Sequence, residues 1–221
     1  MKWMELKEWT SDTCKFYDID MLFPTDEDVK KFFTEFQPTI VGLSAVVSSS
    51  YEQVIRLSSI VRLTCPDAWI VVGGNLSASA EILLSKTETD ICVVGDGEIA
   101  WVNFLSYVKK HKRQWNYEAL EKIKGLCYFN ELKELKFNGY EKAIPSSDMP
   151  FPDYDLLMTG LQNQPEAINN YFKYALQSGW FSFDQRAYEI NRLPKVYGYR
   201  DMEFFKLKIH ALHEAKYALV G

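Results

Sequence analysis

Three short strings in this chain carry residue types that can hold a ligand: Gly42-Leu43-Ser44-Ala45-Val46-Val47-Ser48-Ser49-Ser50, Gly73-Gly74-Asn75 and Gly95-Asp96-Gly97-Glu98. The first offers hydroxyls and backbone N–H groups. The second offers backbone without β-carbons, which lets a flat molecule approach closely. The third is a glycine turn at the start of a helical pattern, where N–H groups lacking intrahelical partners favour anions. Taken singly, each has a plainer reading: a serine helix cap, a tight turn, an acidic residue in a first turn. Their order carries the information, because each follows one of three successive strand-like runs.

Other chemistries lack their residues. Cys14, Cys65, Cys92 and Cys127 lie dozens of residues apart, without the close spacing that zinc or an iron–sulfur cluster requires. Reduced thiols are expected, and Cys92, inside the apolar run 91–94, reads as a small core residue. His210 and His213 share a helix face at i, i+3 but have no third ligand nearby, so they read as helix surface rather than as a metal site. No G-x-G-x-x-G, Walker loop or G-x-S-x-G elbow is present, which speaks against an independent nucleotide-using or hydrolytic enzyme.

The elements that must position the three strings are legible in the hydrophobic pattern. Nearly continuous apolar runs at 15–19, 39–43, 69–72 and 91–94 predict strands of a parallel sheet covered on both faces. Between them, start signals predict helices: Thr25-Asp26-Glu27-Asp28 before 29–36, Ser50 before 51–63, Ser77 before 78–84 and Glu98 before 99–110. Strand–helix alternation at this spacing predicts an α/β fold, a doubly wound, mainly parallel sheet of flavodoxin-like or Rossmann-like type, whose ligands bind at the carboxyl ends of the strands. The pattern then changes. Residues 123–129 and 132–137 flank Asn130-Glu131 as a small hairpin with few core residues, three prolines at 145–152 mark an extended linker, and 167–176, 184–191 and 201–215 read as helices. The expected division is therefore 1–122, the α/β domain; 123–159, hairpin and linker; and 160–221, a mostly helical segment.

The 221 residues carry a formal net charge of −5. The one basic cluster, Lys109-Lys110-His111-Lys112-Arg113, falls where a helix should end and its cations complement the dipole, so no nucleic-acid partner is expected. No apolar stretch is long enough to span a membrane, and Met1-Lys2-Trp3-Met4-Glu5 lacks the core of a signal peptide. A cytoplasmic protein without a membrane partner is expected.

The strings Val41-Gly42-Leu43-Ser44, Ile70-Val71-Val72-Gly73-Gly74-Asn75, Asp90 to Glu98, Gly125-Leu126 and Phe151-Pro152-Asp153-Tyr154-Asp155-Leu156-Leu157, in this order, resemble the cobalamin (B12)-binding domain that precedes the barrel of radical S-adenosylmethionine enzymes similar to the anaerobic magnesium-protoporphyrin ester cyclase. The resemblance runs from about Lys15 to Leu157. It implies that Ser44 and Val46 occupy the family's Ser-x-Leu site beside the nucleotide tail of cobalamin, that Gly73 and Gly74 pass alongside that tail, and that Gly95, Gly97 and Glu98 close the pocket. Ser48 and Asn75 complete the lining loops. Val46 replaces the usual Leu. The family's Asp-x-His-x-x-Gly motif is absent, and His111, His210 and His213 lie outside the sheet loops, so the resemblance implies cobalamin held without a histidine ligand from this domain. Residues 1–9 read as the helix after the family's first strand, and the chain ends where a barrel strand would lead to a CxxxCxxC loop. The implied function is a non-catalytic cobalamin module whose partner is a barrel of the same polypeptide. The [4Fe-4S] cluster and S-adenosylmethionine belong to that barrel alone, and methyl transfer or radical rearrangement or cyclisation is the parent reaction. A scaffold domain that no longer binds cobalamin is the alternative.

Overall fold

The computed structural model describes residues 14–144. The compact unit Pro24–Ile144 holds the whole sheet. Five strands, β1 (Ile40–Ser44), β2 (Trp69–Gly73), β3 (Ile91–Val93), β4 (Leu126–Phe129) and β5 (Leu135–Phe137), lie side by side in chain order. β1, β2 and β3 are parallel, and β4 and β5 add to the β3 edge as antiparallel neighbours.

The two faces are covered by different helices, which is why the strand runs are apolar throughout rather than alternating. Trp69, Val71, Ile91 and Val93 point toward α5 (Gly97–His111), where Ala100, Phe104 and Tyr107 meet them. Val72, Cys92 and Cys127 point the other way, toward Val54 of α3 (Ser50–Thr64) and Leu83 of α4 (Ala80–Lys86). Trp69 anchors the α5 side. It is fully buried, meets Phe104 edge-on at 5.6 Å and Trp115 at 4.7 Å, and donates from Nε1 to the Lys112 carbonyl at 2.7 Å.

The helix signals read from the sequence correspond to real contacts. α2 (Asp26–Phe36) starts at Thr25, whose hydroxyl accepts the Asp28 N–H at 3.3 Å while the Asp28 carboxylate accepts the Thr25 N–H at 3.0 Å. That reciprocal pair satisfies two N–H groups which the first turn would otherwise leave open. The chain leaves α2 through Gln37 in the left-handed region, just before Pro38.

Three local expectations are corrected. Residues 15–19 do not form a strand: the chain is irregular through Asp18, and α1 (Ile19–Leu22) is a single helical turn. The Asp18 carboxylate accepts the Asp20 N–H at 3.1 Å and so starts the turn locally, while among the described residues β1 pairs only with β2. Ser77 does not cap a helix at 78, because a 3₁₀ turn over Asn75–Ser79 comes first. The hairpin is no thin appendage, for Leu126, Cys127 and Tyr128 of β4 are buried in the sheet. The linker at 145–154, the helices expected beyond it and the pair His210 and His213 lie outside the described residues.

Asp90 fastens the amino end of β3. Its carboxylate, with the side chain only 11% exposed, takes Arg62 at 2.9 Å, Arg113 at 2.7 Å and the Ile70 N–H at 2.8 Å. Arg113 also lies 4.2 Å over the Trp69 ring. Replacing Asp90 takes this carboxylate from Arg113 and from a strand N–H together, while Arg62 keeps Glu88 and the carbonyls of Pro66 and Ala68. Asp90→Ala is expected to cost about 3 kcal/mol of stability, read as a lowered urea midpoint with an unchanged slope.

Cys65, Cys92 and Cys127 are buried and Cys14 is exposed. Burial, reinforced by the neighbouring Cys127, pushes the Cys92 thiol up to about 12. Since the thiolate is the reactive form, a thiol reagent at pH 8 should label Cys14 quickly and the other three only after unfolding, as counted by mass spectrometry.

Candidate functional site

Three parallel strands bring their carboxyl ends to one edge, so the three strings meet there. Ser44 is the direct partner of Gly73. The ladder runs one step past the strands: the Ala45 N–H donates to the Gly73 carbonyl at 2.9 Å, and the Leu76 N–H donates to the Ala45 carbonyl at 3.0 Å. Ala45 is fully buried beneath this joint.

The glycine pair divides its work. Gly74 has φ +88°, and a β-carbon there would sit 2.5 Å from the Ala45 carbonyl oxygen. Its absence of a side chain serves packing between two loops. The Ser77 hydroxyl and N–H both donate to the Gly74 carbonyl, at 2.6 and 3.0 Å, and pin the turn from below. At Gly73 a β-carbon would meet nothing within 4 Å. Gly73 therefore faces open space, on the same face of the sheet as Ser44 and Gly42, both exposed. At Gly42 the Trp101 ring edge of α5 approaches to 3.4 Å of the β-carbon position. A strip of small residues thus runs along β1 and the end of β2, with an indole beside its lower end.

Beyond that strip, Ser48 and Asn75 are exposed, as is Val46 at 57%. The hydroxyls of Ser44 and Ser48 donate to no group among the described residues, so they are free to meet a polar partner. The third string turns at Gly95, φ +89°, and enters α5 behind Asp96, whose side chain makes no capping bond. At Gly97 a β-carbon would stand 3.5 Å from Val93 Cγ1, and Glu98 is half-buried in the first turn. Two carboxylates at this helix start already answer the positive end of the dipole. The turn is thus a poorer anion site than the glycine pattern alone suggests.

Sequence reasoning missed four contributors. Ala45 and Ser77 join the first two loops, Trp101 stands over Gly42, and Tyr140, beyond β5, places Cδ1 3.1 Å from a Gly95 β-carbon position. Only Trp101 had a local signal, as an aromatic one turn into α5 on the sheet side. His111, the histidine among the described residues, is at the far end of α5, stacked on Tyr107 at 4.8 Å.

An edge of open glycine, free hydroxyls and no histidine can be compared with known proteins. Residues 9–105 match the B12 binding domain family. Two curated proteins similar to the chain are methyltransferases. One is an uncharacterized methyltransferase of Pyrococcus horikoshii, 26% identical over 142 residues, covering 60% of this chain and 28% of that protein. The other is the cytidylyl-2-hydroxyethylphosphonate methyltransferase of Streptomyces wedmorensis, 26% identical over 85 residues, covering 38% of this chain and 16% of that protein. Among solved structures, the cobalamin-dependent S-adenosylmethionine radical enzyme OxsB shares the fold. With aqua-cobalamin and S-adenosylmethionine bound it gives a TM-score of 0.53 at 22% identity, covering 66% of this chain and 20% of that one. With aqua-cobalamin bound the TM-score is 0.50. The chain spans less than a third of the length of each of these relatives. The α/β sheet with helices on both faces is thus a fold shared with OxsB, and no described helix is long and apolar enough to cross a membrane.

The unequal glycines give this edge a direct test. Gly74→Ala should lower stability by roughly 1–3 kcal/mol, through its left-handed backbone and the Ala45 carbonyl. Gly73→Ala should change the urea midpoint little, since its β-carbon enters open space.

Proposed function

We propose that residues 24–144 hold cobalamin at the carboxyl edge of β1, β2 and β3, as a non-catalytic module serving a radical S-adenosylmethionine barrel in the same polypeptide. The observation that carries this reading is Gly73. It is a glycine that neither its backbone angle nor its neighbours require, at the centre of an edge whose stretch matches the B12 binding domain family. The cradle fits the group: Gly73 leaves open space for a flat tail, the Trp101 indole borders it at Gly42, and Ser44 and Ser48 offer hydroxyls. Val46, Asn75, Gly95 and Glu98 surround the opening. Gly74 supports it by close packing against Ala45, and Gly97 opens α5 beside it. Cobalamin supplies a cobalt centre able to carry a methyl group or to take part in radical chemistry. This chain's own residues bind and orient it. The histidine among the described residues, His111, ends α5 far from these loops, so the loops would hold the group without an imidazole. The similarity to methyltransferases supports methyl transfer as the parent reaction.

Titration of the full chain with hydroxocobalamin tests the reading. Saturable change in the corrin absorption bands is expected, together with a melting temperature raised by several degrees at about a hundredfold excess over the dissociation constant. Gly73→Val, with its side chain in the cradle, should abolish both effects without lowering the melting temperature of the free protein. Absence of saturable binding by the unaltered chain would replace this reading with that of a scaffold domain.

A further inference from the structure

The hairpin beyond the stretch that matches the B12 binding domain reaches back into the site. β5 ends at Phe137, and the next two residues are clamped. The Asn138 N–H donates to the Leu126 carbonyl at 3.0 Å, and the Gly125 N–H donates to the Gly139 carbonyl at 2.7 Å. The Asn138 side-chain amide donates to the carbonyls of Leu120 and Ile123, at 2.8 Å each. Four hydrogen bonds therefore fix the chain just before Tyr140. Its ring lies against the Gly95 turn and meets Phe137 edge-on at 5.0 Å, yet Tyr140 remains 71% exposed.

An aromatic ring held rigidly at a binding edge with most of its surface in water forgoes burial, since a small rotation of a loose tail would let it fold back onto apolar surface. Such a ring offers a planar, low-entropy contact, with a hydroxyl at its tip, to something that arrives later. The neighbouring helix start carries Asp96 and Glu98, so the arriving group is not an anion. We infer that Tyr140 is a further ligand-binding residue of this edge, its ring packing against the amide-bearing edge of the cobalamin corrin beside Gly95. The inference rests on the cobalamin reading above. It makes the hairpin a working part of the site, although the family match ends at residue 105.

The test compares the full chain with its Tyr140→Ala and Tyr140→Phe variants, each titrated with hydroxocobalamin by visible absorption, with the melting temperature of the free protein as control. Tyr140→Ala should weaken binding about five- to tenfold, Tyr140→Phe should restore most of it, and all three free proteins should melt together. If the unaltered chain binds and Tyr140→Ala binds equally well, the role of Tyr140 is overturned while the cobalamin reading stands. If Tyr140→Ala instead lowers the melting temperature of the free protein and Tyr140→Phe does not rescue affinity, the ring is a packing residue. If the unaltered chain does not bind, both readings fall.

Discussion

The joint at Ala45 is the contact on which the site depends. A parallel ladder ordinarily ends with its strands, and the loops beyond are free to separate. Here the ladder continues through the Ala45 N–H and carbonyl into the second loop, and Gly74 permits the approach because no β-carbon stands in the way. Two loops from neighbouring strands thereby become one surface. With that surface fixed, Ser44 and Gly73 keep a constant separation, and the open strip along β1 is a feature of the free protein rather than one that a ligand must create.

The opposite edge supplies the stiffness. Asp90 gathers Arg62 from α3, Arg113 from beyond α5 and the backbone of β2 at the amino ends of the strands. The continuous string from Asp90 to Glu98 therefore has two occupations. Its first residue ties the scaffold together, its middle is core, and its last four residues form a loop of the site. A short strand with a fastened start and a glycine turn at its end carries a rigid reference across the sheet.

Much of this was legible in the sequence because the informative signals were local. The Thr25 cap, the apolar runs of β1, β2 and β3 and the placing of three loops after three strands all follow from patterns within a dozen residues. The failures have a common physical origin. The run 15–19 has strand composition, but strand formation depends on a neighbour, and an aspartate side chain decided the local backbone instead. The hairpin looked thin because its burial comes from pairing with β3, a contact remote in sequence. Gly73 and Gly74 are the same residue type side by side. Only the position of the Ala45 carbonyl tells the packing glycine from the one that faces open space. Tyr140 reaches Gly95 across forty-odd residues of chain, with no periodicity to announce it.

Charge adds a last constraint on what this edge can do. A helix start preceded by a glycine turn ordinarily invites a phosphate, but Asp96 and Glu98 occupy that position and would repel one. The free hydroxyls lie instead on the β1 side, at Ser44 and Ser48, next to the glycine strip. Polar recognition is thus concentrated at one end of the edge and uncharged, flat contact at the other. A ligand that is large, mostly neutral and planar over much of its area, with a polar tail at one side, matches that division, and a compact anion does not.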